Sequence, residues 1–157
     1  SRARDTASII NEVLNVEMVE IPDLAEMYAG ELEGAPYAEC EAFHHEWTDP
    51  PGGETYEEFF ARIARGKNKA LDLPGPVLIV CHGGVMKGFG KMQGLPMKGK
   101  FKNCHLHEFH PHADYNVFPW ITKDYDICPQ TGKVLNNENT VYHLDRLSMD
   151  QTDVIAR

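Results

Sequence analysis

The sequence predicts a three-layer α/β domain with a mostly parallel central sheet, helices on both faces and a β-rich C-terminal extension. The apolar, mostly β-branched run at residues 77–81 is typical of a strand buried on both faces. A long amphipathic helix is predicted just before it, and this order is typical of a crossover in a parallel sheet. The segment after residue 103 is rich in predicted strands.

Length, composition and charge indicate one ordinary globular domain. The 157 residues suffice for a single hydrophobic core. The 24 acidic and 15 basic residues give a net charge of −9, which argues against general binding to nucleic acid or anionic membranes but permits a basic pocket for an anionic substrate. The four cysteines are widely spaced and Cys81 lies in an apolar run, so we predict free thiols and a cytoplasmic location.

Three segments are predicted in the first 40 residues. Apolar residues at helical spacing predict a helix over residues 6–14, and alternating apolar and acidic residues predict a short strand over residues 16–21. Residues 23–37 contain Gly, Glu and Pro without a clear period, which is typical of a surface loop over a site.

The long helix is predicted from its cap and from its apolar stripe. Thr55 and Glu58 have the spacing of a capping box. The residues that would form the buried stripe are Tyr56, Phe59, Phe60, Ile63 and Ala70. The Leu-Pro-Gly-Pro sequence at residues 73–76 ends this helix and leads into the strand at residues 77–81.

A second helix is predicted from Val85, and strands are predicted beyond it. The strands span residues 104–109, 115–122 and 140–144, and the Pro-Gln-Thr-Gly sequence at residues 129–132 supplies a turn.

His82 is the residue that these elements single out. It follows the run at residues 77–81 and is followed by Gly83 and Gly84, after which the next helix is predicted from Val85. Ligands of open α/β sheets lie beyond the carboxyl ends of strands, and a helix N-terminus presents free N–H groups to anions such as phosphate. An imidazole at this point either donates to a phosphoryl oxygen and carries protons, or only caps the helix.

Several segments, in this order, resemble the histidine phosphatase superfamily. They are Arg-Ala-Arg-Asp-Thr-Ala at residues 2–7, Leu-Ala-Glu followed by Gly-Glu-Leu-Glu-Gly within residues 24–34, Pro-Gly-Gly-Glu-Thr at residues 51–55 with Arg62, Val-Cys-His-Gly-Gly at residues 80–84, and Phe-Lys-Asn-Cys at residues 101–104. Leu32 replaces the family's usual tryptophan and Cys81 its usual serine. The order and spacing make the combination specific, and it implies a phosphoglycerate-mutase-like fold.

The resemblance implies roles for four residues. Arg2 would clamp the transferred phosphoryl group, His82 would donate to its oxygens, and Gly83 would let backbone N–H groups approach it. Glu26 stands where the family places the general acid that protonates the leaving oxygen. Other acidic residues nearby in the sequence are alternatives for this role: Glu31, Glu33 and Asp23.

The family's Arg-His-Gly signature, which carries the histidine that becomes phosphorylated, does not occur in this sequence. We therefore expect residues 1–157 to form a single domain that is N-terminally incomplete, with the nucleophile upstream of Ser1. The resemblance implies a phosphomonoesterase that acts through a phosphohistidine intermediate and needs no metal or other cofactor.

Other functions stay open at this point. A phosphoglycerate-type mutase would return the phosphoryl group to a second hydroxyl. A chain that is truly complete would be a non-catalytic module that binds a phosphorylated ligand. A metal-binding protein is the third alternative, because His105 and His107 are spaced to share one face of a strand, with His110 and His112 following.

The predicted partner is a small phosphorylated substrate. We expect no nucleic-acid or membrane partner, since the chain is acidic and contains no apolar stretch as long as a membrane span. A homodimer stays open.

Overall fold

The computed structural model describes residues 1–93, 103–111, 119–128 and 130–143. These residues divide into two compact units, one within residues 1–92 and the other within residues 93–146. The described residues contain four α-helices, two short 3-10 helices and three strands. None of the described helices combines the length and the apolar composition needed to cross a bilayer.

Helix α1 spans Arg2–Leu14 and confirms the helix predicted over residues 6–14, although it begins four residues earlier. The earlier start follows from Ser1, whose hydroxyl oxygen accepts a hydrogen bond from the Arg4 N–H at 3.4 Å. The helix ends at Asn15, which adopts a left-handed conformation with φ 50°. No residue of α1 is buried.

The strand predicted over residues 16–21 does not form. Its apolar residues are exposed, with Val16 at 59%, Met18 at 42% and Val19 at 51% of their full surface. Alternation specifies a strand only where one face is buried and a neighbouring strand accepts the backbone hydrogen bonds, and neither condition is met within the described ranges. The prediction was therefore wrong.

Residues 23–37 confirm the predicted irregular loop, which contains the 3-10 helices Pro22–Leu24 and Gly30–Leu32. Helix α2 follows over Tyr37–Glu46 and ends at Trp47 in a left-handed conformation with φ 54°. The sequence pattern does not predict α2, because the segment lacks an apolar stripe and its N-terminal Pro36 offers no side-chain cap.

Helix α3 spans Tyr56–Leu71 and confirms both signals that predicted it. The Thr55 hydroxyl accepts from the Glu58 N–H at 3.2 Å, and the Glu58 carboxylate accepts from the Thr55 N–H at 3.0 Å. The predicted stripe is buried along the whole helix. The core of this unit contains Met27, Tyr56, Phe59, Phe60, Ile63 and Val85.

Helix α4 spans Gly83–Gln93, so the predicted second helix begins two residues before Val85. Val85 is fully buried, and a Cβ built at Gly88 would overlap the Ile63 side chain. A larger residue at Gly88 would therefore require the tip of the Ile63 side chain to move.

The run at residues 77–81 forms no strand, and no described segment pairs with it. Leu78 is 50% exposed, whereas Cys81 packs against the core. A strand requires a neighbouring backbone for its N–H and C=O groups, so the apolar composition of this run is not sufficient to form one. The predicted parallel sheet with this run at its centre is thus not observed in the described residues.

The second unit contains an antiparallel sheet in the order β1-β2-β3. Strand β1 is Leu106–Pro111, β2 is Pro119–Ile127 and β3 is Val134–His143. They confirm the predicted strand-rich end with shifted bounds, while residues 115–118, Pro129 and Leu144 lie outside the described residues. The β2–β3 turn is closed by the Cys128 N–H, which donates to the Lys133 carbonyl at 2.9 Å.

Removing the cap of α3 should destabilise the first unit. We predict that Thr55→Ala lowers the free energy of unfolding by about 1 kcal/mol, because the Glu58 N–H loses its acceptor. Thr55→Ser keeps the hydroxyl and should stay close to the parent protein in urea unfolding. Equal loss in both variants would show that the hydroxyl cap is not responsible.

The Cys81 thiol should be the slowest of the four to be alkylated. Burial, with a smaller contribution from the negative charge of Glu26, raises the pKa of Cys81 from 9.0 to about 12. At pH 8 its reaction with iodoacetamide should be about a thousandfold slower than that of an ordinary thiol, because only the thiolate reacts. Peptide mass spectrometry measures this rate against that of exposed Cys104, and similar rates at the two sites would contradict the prediction.

Candidate active site

His82 lies in the turn between the run at residues 77–81 and α4. Its carbonyl accepts the Met86 N–H at 3.3 Å, which is the first hydrogen bond of the helix. The His82 side chain is half-buried. Gly83 is exposed, and a Cβ built there would meet no atom within 4 Å. Open space therefore lies beside the first residue of the helix.

The carboxylate of Glu26 lies at the N-terminus of α4. Its Oε2 accepts the Gly84 N–H at 3.3 Å, and its Oε1 accepts the Met27 N–H at 3.1 Å. A Cβ built at Gly84 would overlap the Glu26 Oε1 atom. A side chain at Gly84, which sequence reasoning did not single out, would therefore displace the Glu26 carboxylate. The predicted contact of Gly83 with an anion stays a prediction.

The negative charge of Glu26 acts on neighbouring groups, among them Tyr56 and Cys81. Burial, with smaller contributions from the charges of Asp49 and Glu26, raises the pKa of Tyr56 to about 12. Burial and then Glu26 act in the same way on Cys81. The phenol and the thiol therefore stay protonated at neutral pH.

Glu26 also borders a small pocket between α3 and α4. The residues that line this pocket are Glu26, Met27, Trp47, Tyr56, Phe59, Gly84 and Lys87. A carboxyl group, an ammonium group and a helix N-terminus thus border the same pocket, whose remaining walls are mainly aromatic. The volume of this pocket, about 10 Å³, is room for one water molecule, so the pocket itself does not hold a phosphoryl group.

The contacts of Glu26 differ from those of the acidic residues that are alternatives for the same role. Asp23 accepts from Lys69 at 2.6 Å and from Arg65 at 3.4 Å, and these cations, Lys69 first, hold the pKa of Asp23 below its usual value. Glu33 accepts the Ala29 N–H within its own loop at 2.9 Å. Among the four acidic residues considered, the described contacts join only Glu26 to the turn at residues 82–84.

The loop that carries Glu26 is fixed to α3 by Arg62. The Arg62 guanidinium donates to both carboxylate oxygens of Glu54, at 2.8 and 2.7 Å. It also donates to the carbonyls of Asp23 at 2.8 Å, Ala25 at 3.0 Å and Glu26 at 3.4 Å. The sequence resemblance included Arg62 but assigned it no role, and no local pattern indicates these contacts.

The same loop rests on the turn at residues 50–54. The Glu54 N–H donates to the Tyr28 carbonyl at 2.9 Å, and the Glu31 N–H donates to the Pro51 carbonyl at 3.0 Å. Cβ atoms built at Gly30 or Gly53 would overlap the backbone of the facing segment. The two glycines therefore permit the close approach that holds the loop in place.

Arg2 is exposed in the first turn of α1. Within the described part of the chain, no hydrogen bond or ion pair joins it to Glu26 or to the turn at residues 82–84. The convergence of Arg2, Glu26 and His82 on one anion stays a prediction.

In the second unit, the imidazole rings of His105 and His107 lie 4.5 Å apart, as their alternate spacing predicts. No group of three or more His, Cys, Asp or Glu residues in the described ranges is arranged to hold a metal ion. His112 lies outside the described residues.

Comparison with known proteins gives both a family and curated relatives. The profile of the histidine phosphatase superfamily (branch 1) matches residues 1–120, a range that includes Arg2, Glu26 and the turn at residues 82–84. Probable phosphoglycerate mutases GpmB from Yersinia pestis (strain Pestoides F) and Yersinia pseudotuberculosis (serotype O:1b, strain IP 31758) are each 26% identical to the chain over 167 aligned positions. Each alignment covers 96% of this chain and 72% of the relative.

No solved structure matches the chain. The family profile nevertheless spans 120 of the 157 residues. This chain therefore belongs to the histidine phosphatase superfamily, whose members share an α/β, phosphoglycerate-mutase-like fold.

Proposed function

We propose that the protein is a metal-independent phosphomonoesterase that acts through a phosphohistidine intermediate, with Glu26 as general acid and His82 as a donor to the phosphoryl oxygens. The observation that carries this proposal is the Glu26 carboxylate, 3.3 Å from the Gly84 N–H at the N-terminus of the helix that follows His82. This position is the one at which a helix binds a phosphoryl group. A proton donor there is within reach of the leaving oxygen.

The proposed reaction has two transfers. In the first, a histidine nitrogen attacks phosphorus, the P–O bond of the ester breaks, and the leaving oxygen takes the proton of Glu26. In the second, water attacks phosphorus, the P–N bond breaks, and Glu26 takes a proton from the water. Arg2 and His82 stabilise the charge on the phosphoryl oxygens in both transfers. The products are an alcohol and inorganic phosphate.

We assign the attacking histidine to an Arg-His-Gly segment outside residues 1–157. None of the eight histidines in the sequence follows an arginine. The run at residues 77–81 also has no pairing partner among the described residues. A strand that carries the nucleophile would supply pairing partners for the backbone N–H and C=O groups of this run.

A phosphoglycerate-type mutase is the second candidate, because the curated relatives are named probable phosphoglycerate mutases. The two activities differ only in what accepts the phosphoryl group from histidine: water in a phosphatase, a second hydroxyl in a mutase. Phosphorus NMR of a reaction with 3-phosphoglycerate distinguishes them. Inorganic phosphate supports the phosphatase, and an isomeric phosphoglycerate supports the mutase.

The proposed substrate is a small phosphate monoester, and the proposed location is the cytoplasm. None of the four cysteines, all of which the structure describes, forms a disulfide, which supports this location because thiols persist in reducing compartments.

Glu26→Gln should affect catalysis according to the leaving group. For an alkyl phosphate, we predict that kcat falls by about 10²- to 10⁴-fold, because the alkoxide then leaves without a proton. For p-nitrophenyl phosphate the loss should be much smaller, because p-nitrophenolate is a stable leaving group. Phosphate release by the full natural chain, meaning the chain that includes the Arg-His-Gly segment, measures both effects.

Glu33→Gln is the matched control for this prediction. Glu33 lies in the same loop but its carboxylate accepts only the Ala29 N–H among the described groups, so both substrates should keep their turnover. The role of Glu26 is wrong if Glu26→Gln lowers kcat equally for the two substrates or leaves both unchanged.

A further inference from the structure

Arg62 is extensively hydrogen-bonded within the described first unit. Its guanidinium makes five hydrogen bonds, two to Glu54 and three to backbone carbonyls. Both partners of the ion pair are largely shielded, with 18% of the Arg62 side chain and 16% of the Glu54 side chain exposed. The guanidinium also lies 5.3 Å from the centre of the Phe59 ring, within the core of the unit. One side chain therefore joins the core of α3 to the loop.

The three carbonyls lie on one short segment, at Asp23, Ala25 and Glu26. Hydrogen bonds at both ends of this segment fix where its backbone runs. The Glu26 side chain then extends from a fixed point, and its carboxylate reaches the Gly84 N–H. A shift of the segment would move the carboxylate away from the N-terminus of α4.

Glu54 orients the Arg62 guanidinium toward the three carbonyls. Its carboxylate binds in a bidentate manner, which orients the guanidinium plane, and the pKa of Arg62 lies above its ordinary value, chiefly because of this hydrogen-bonded contact. Two donors are then occupied by Glu54, and the others face the carbonyls. A lysine in this position has a single ammonium group and cannot span all five acceptors.

We propose that Arg62, oriented by Glu54, is a positioning residue that holds Glu26 at the N-terminus of α4. This inference rests on the proposed function of Glu26 as general acid and extends it to the residue that places the acid. Arg62 touches no reacting atom in this account. It acts by fixing the backbone from which Glu26 extends.

Arg62→Lys in the full chain tests the proposal. We expect kcat for an alkyl phosphate to fall by about 10- to 100-fold with little change in KM, since a displacement of about 1 Å has effects of this size. Turnover of p-nitrophenyl phosphate should change little, because its leaving group does not need the acid. A purely structural role would lower both activities together.

Arg65→Lys is the matched control. Arg65 lies one turn along α3 and pairs with the same loop, but through the Asp23 side chain at 3.4 Å and with 41% of its own side chain exposed. An exposed pair of this kind contributes little. Both activities should therefore stay at the level of the parent protein.

A double-mutant cycle separates positioning from other effects. Once Glu26→Gln has removed the acid, Arg62→Lys should cause no further loss on the alkyl phosphate. An undiminished additional loss in that background overturns the proposal, as does an equal loss on both substrates. If urea unfolding shows that Arg62→Lys is not folded, Glu54→Gln takes its place in the same cycle. Glu54→Gln weakens the bidentate contact and leaves Arg62 in place.

A second measurement distinguishes failure of this inference from failure of the proposed function. In the parent protein the NMR shift of the Gly84 amide should follow the titration of Glu26. Arg62→Lys should abolish this response and Arg65→Lys should preserve it. If Glu26→Gln shows no leaving-group dependence, the general-acid function is wrong. In that case the Gly84 amide shift still tests Arg62. If Arg62→Lys abolishes the response of this shift, Arg62 positions the Glu26 carboxylate although the carboxylate is not a general acid. If the response persists in Arg62→Lys, the inference about Arg62 is wrong.

Discussion

The contacts made by the guanidinium of Arg62 are the interactions on which the rest of the first unit depends. On one side it meets the Phe59 ring and the carboxylate of Glu54, and on the other it holds the carbonyls at residues 23–26. The Glu54 carboxylate compensates the charge of this shielded cation and orients its plane. The same contacts that stabilise the fold therefore determine where the candidate acid lies.

The start of α4 contributes the remaining residues of the candidate site, in the turn at residues 82–84. His82 accepts the first hydrogen bond of the helix through its carbonyl, and the next two residues are glycines with different surroundings. Gly84 admits the carboxylate of Glu26, whereas Gly83 faces open space. A carboxylate thus occupies part of a helix terminus that also suits a phosphoryl group, and open space for a ligand lies beside it.

The sequence was most informative where structure depends on near neighbours. Helix α3 was predictable because the box at Thr55 and its apolar stripe are local patterns. The strands expected at residues 16–21 and 77–81 do not form, because a strand depends on a neighbouring strand that periodicity in the sequence does not reveal. Helix α2 was missed for lack of a stripe, and the role of Arg62 was missed because its carbonyl partners lie 36 to 39 residues away in the sequence.

In the proposed site, Glu26 and His82 act on one phosphoryl group at the N-terminus of α4. A crystal structure of the full natural chain with orthovanadate, which mimics the transition state of phosphoryl transfer, tests this arrangement most directly. We predict a bound oxyanion about 3 Å from the His82 imidazole and the Gly83 N–H, with the Glu26 carboxyl on the side of the leaving oxygen. An oxyanion bound elsewhere, or one with Glu26 and His82 facing away from it, would contradict this prediction.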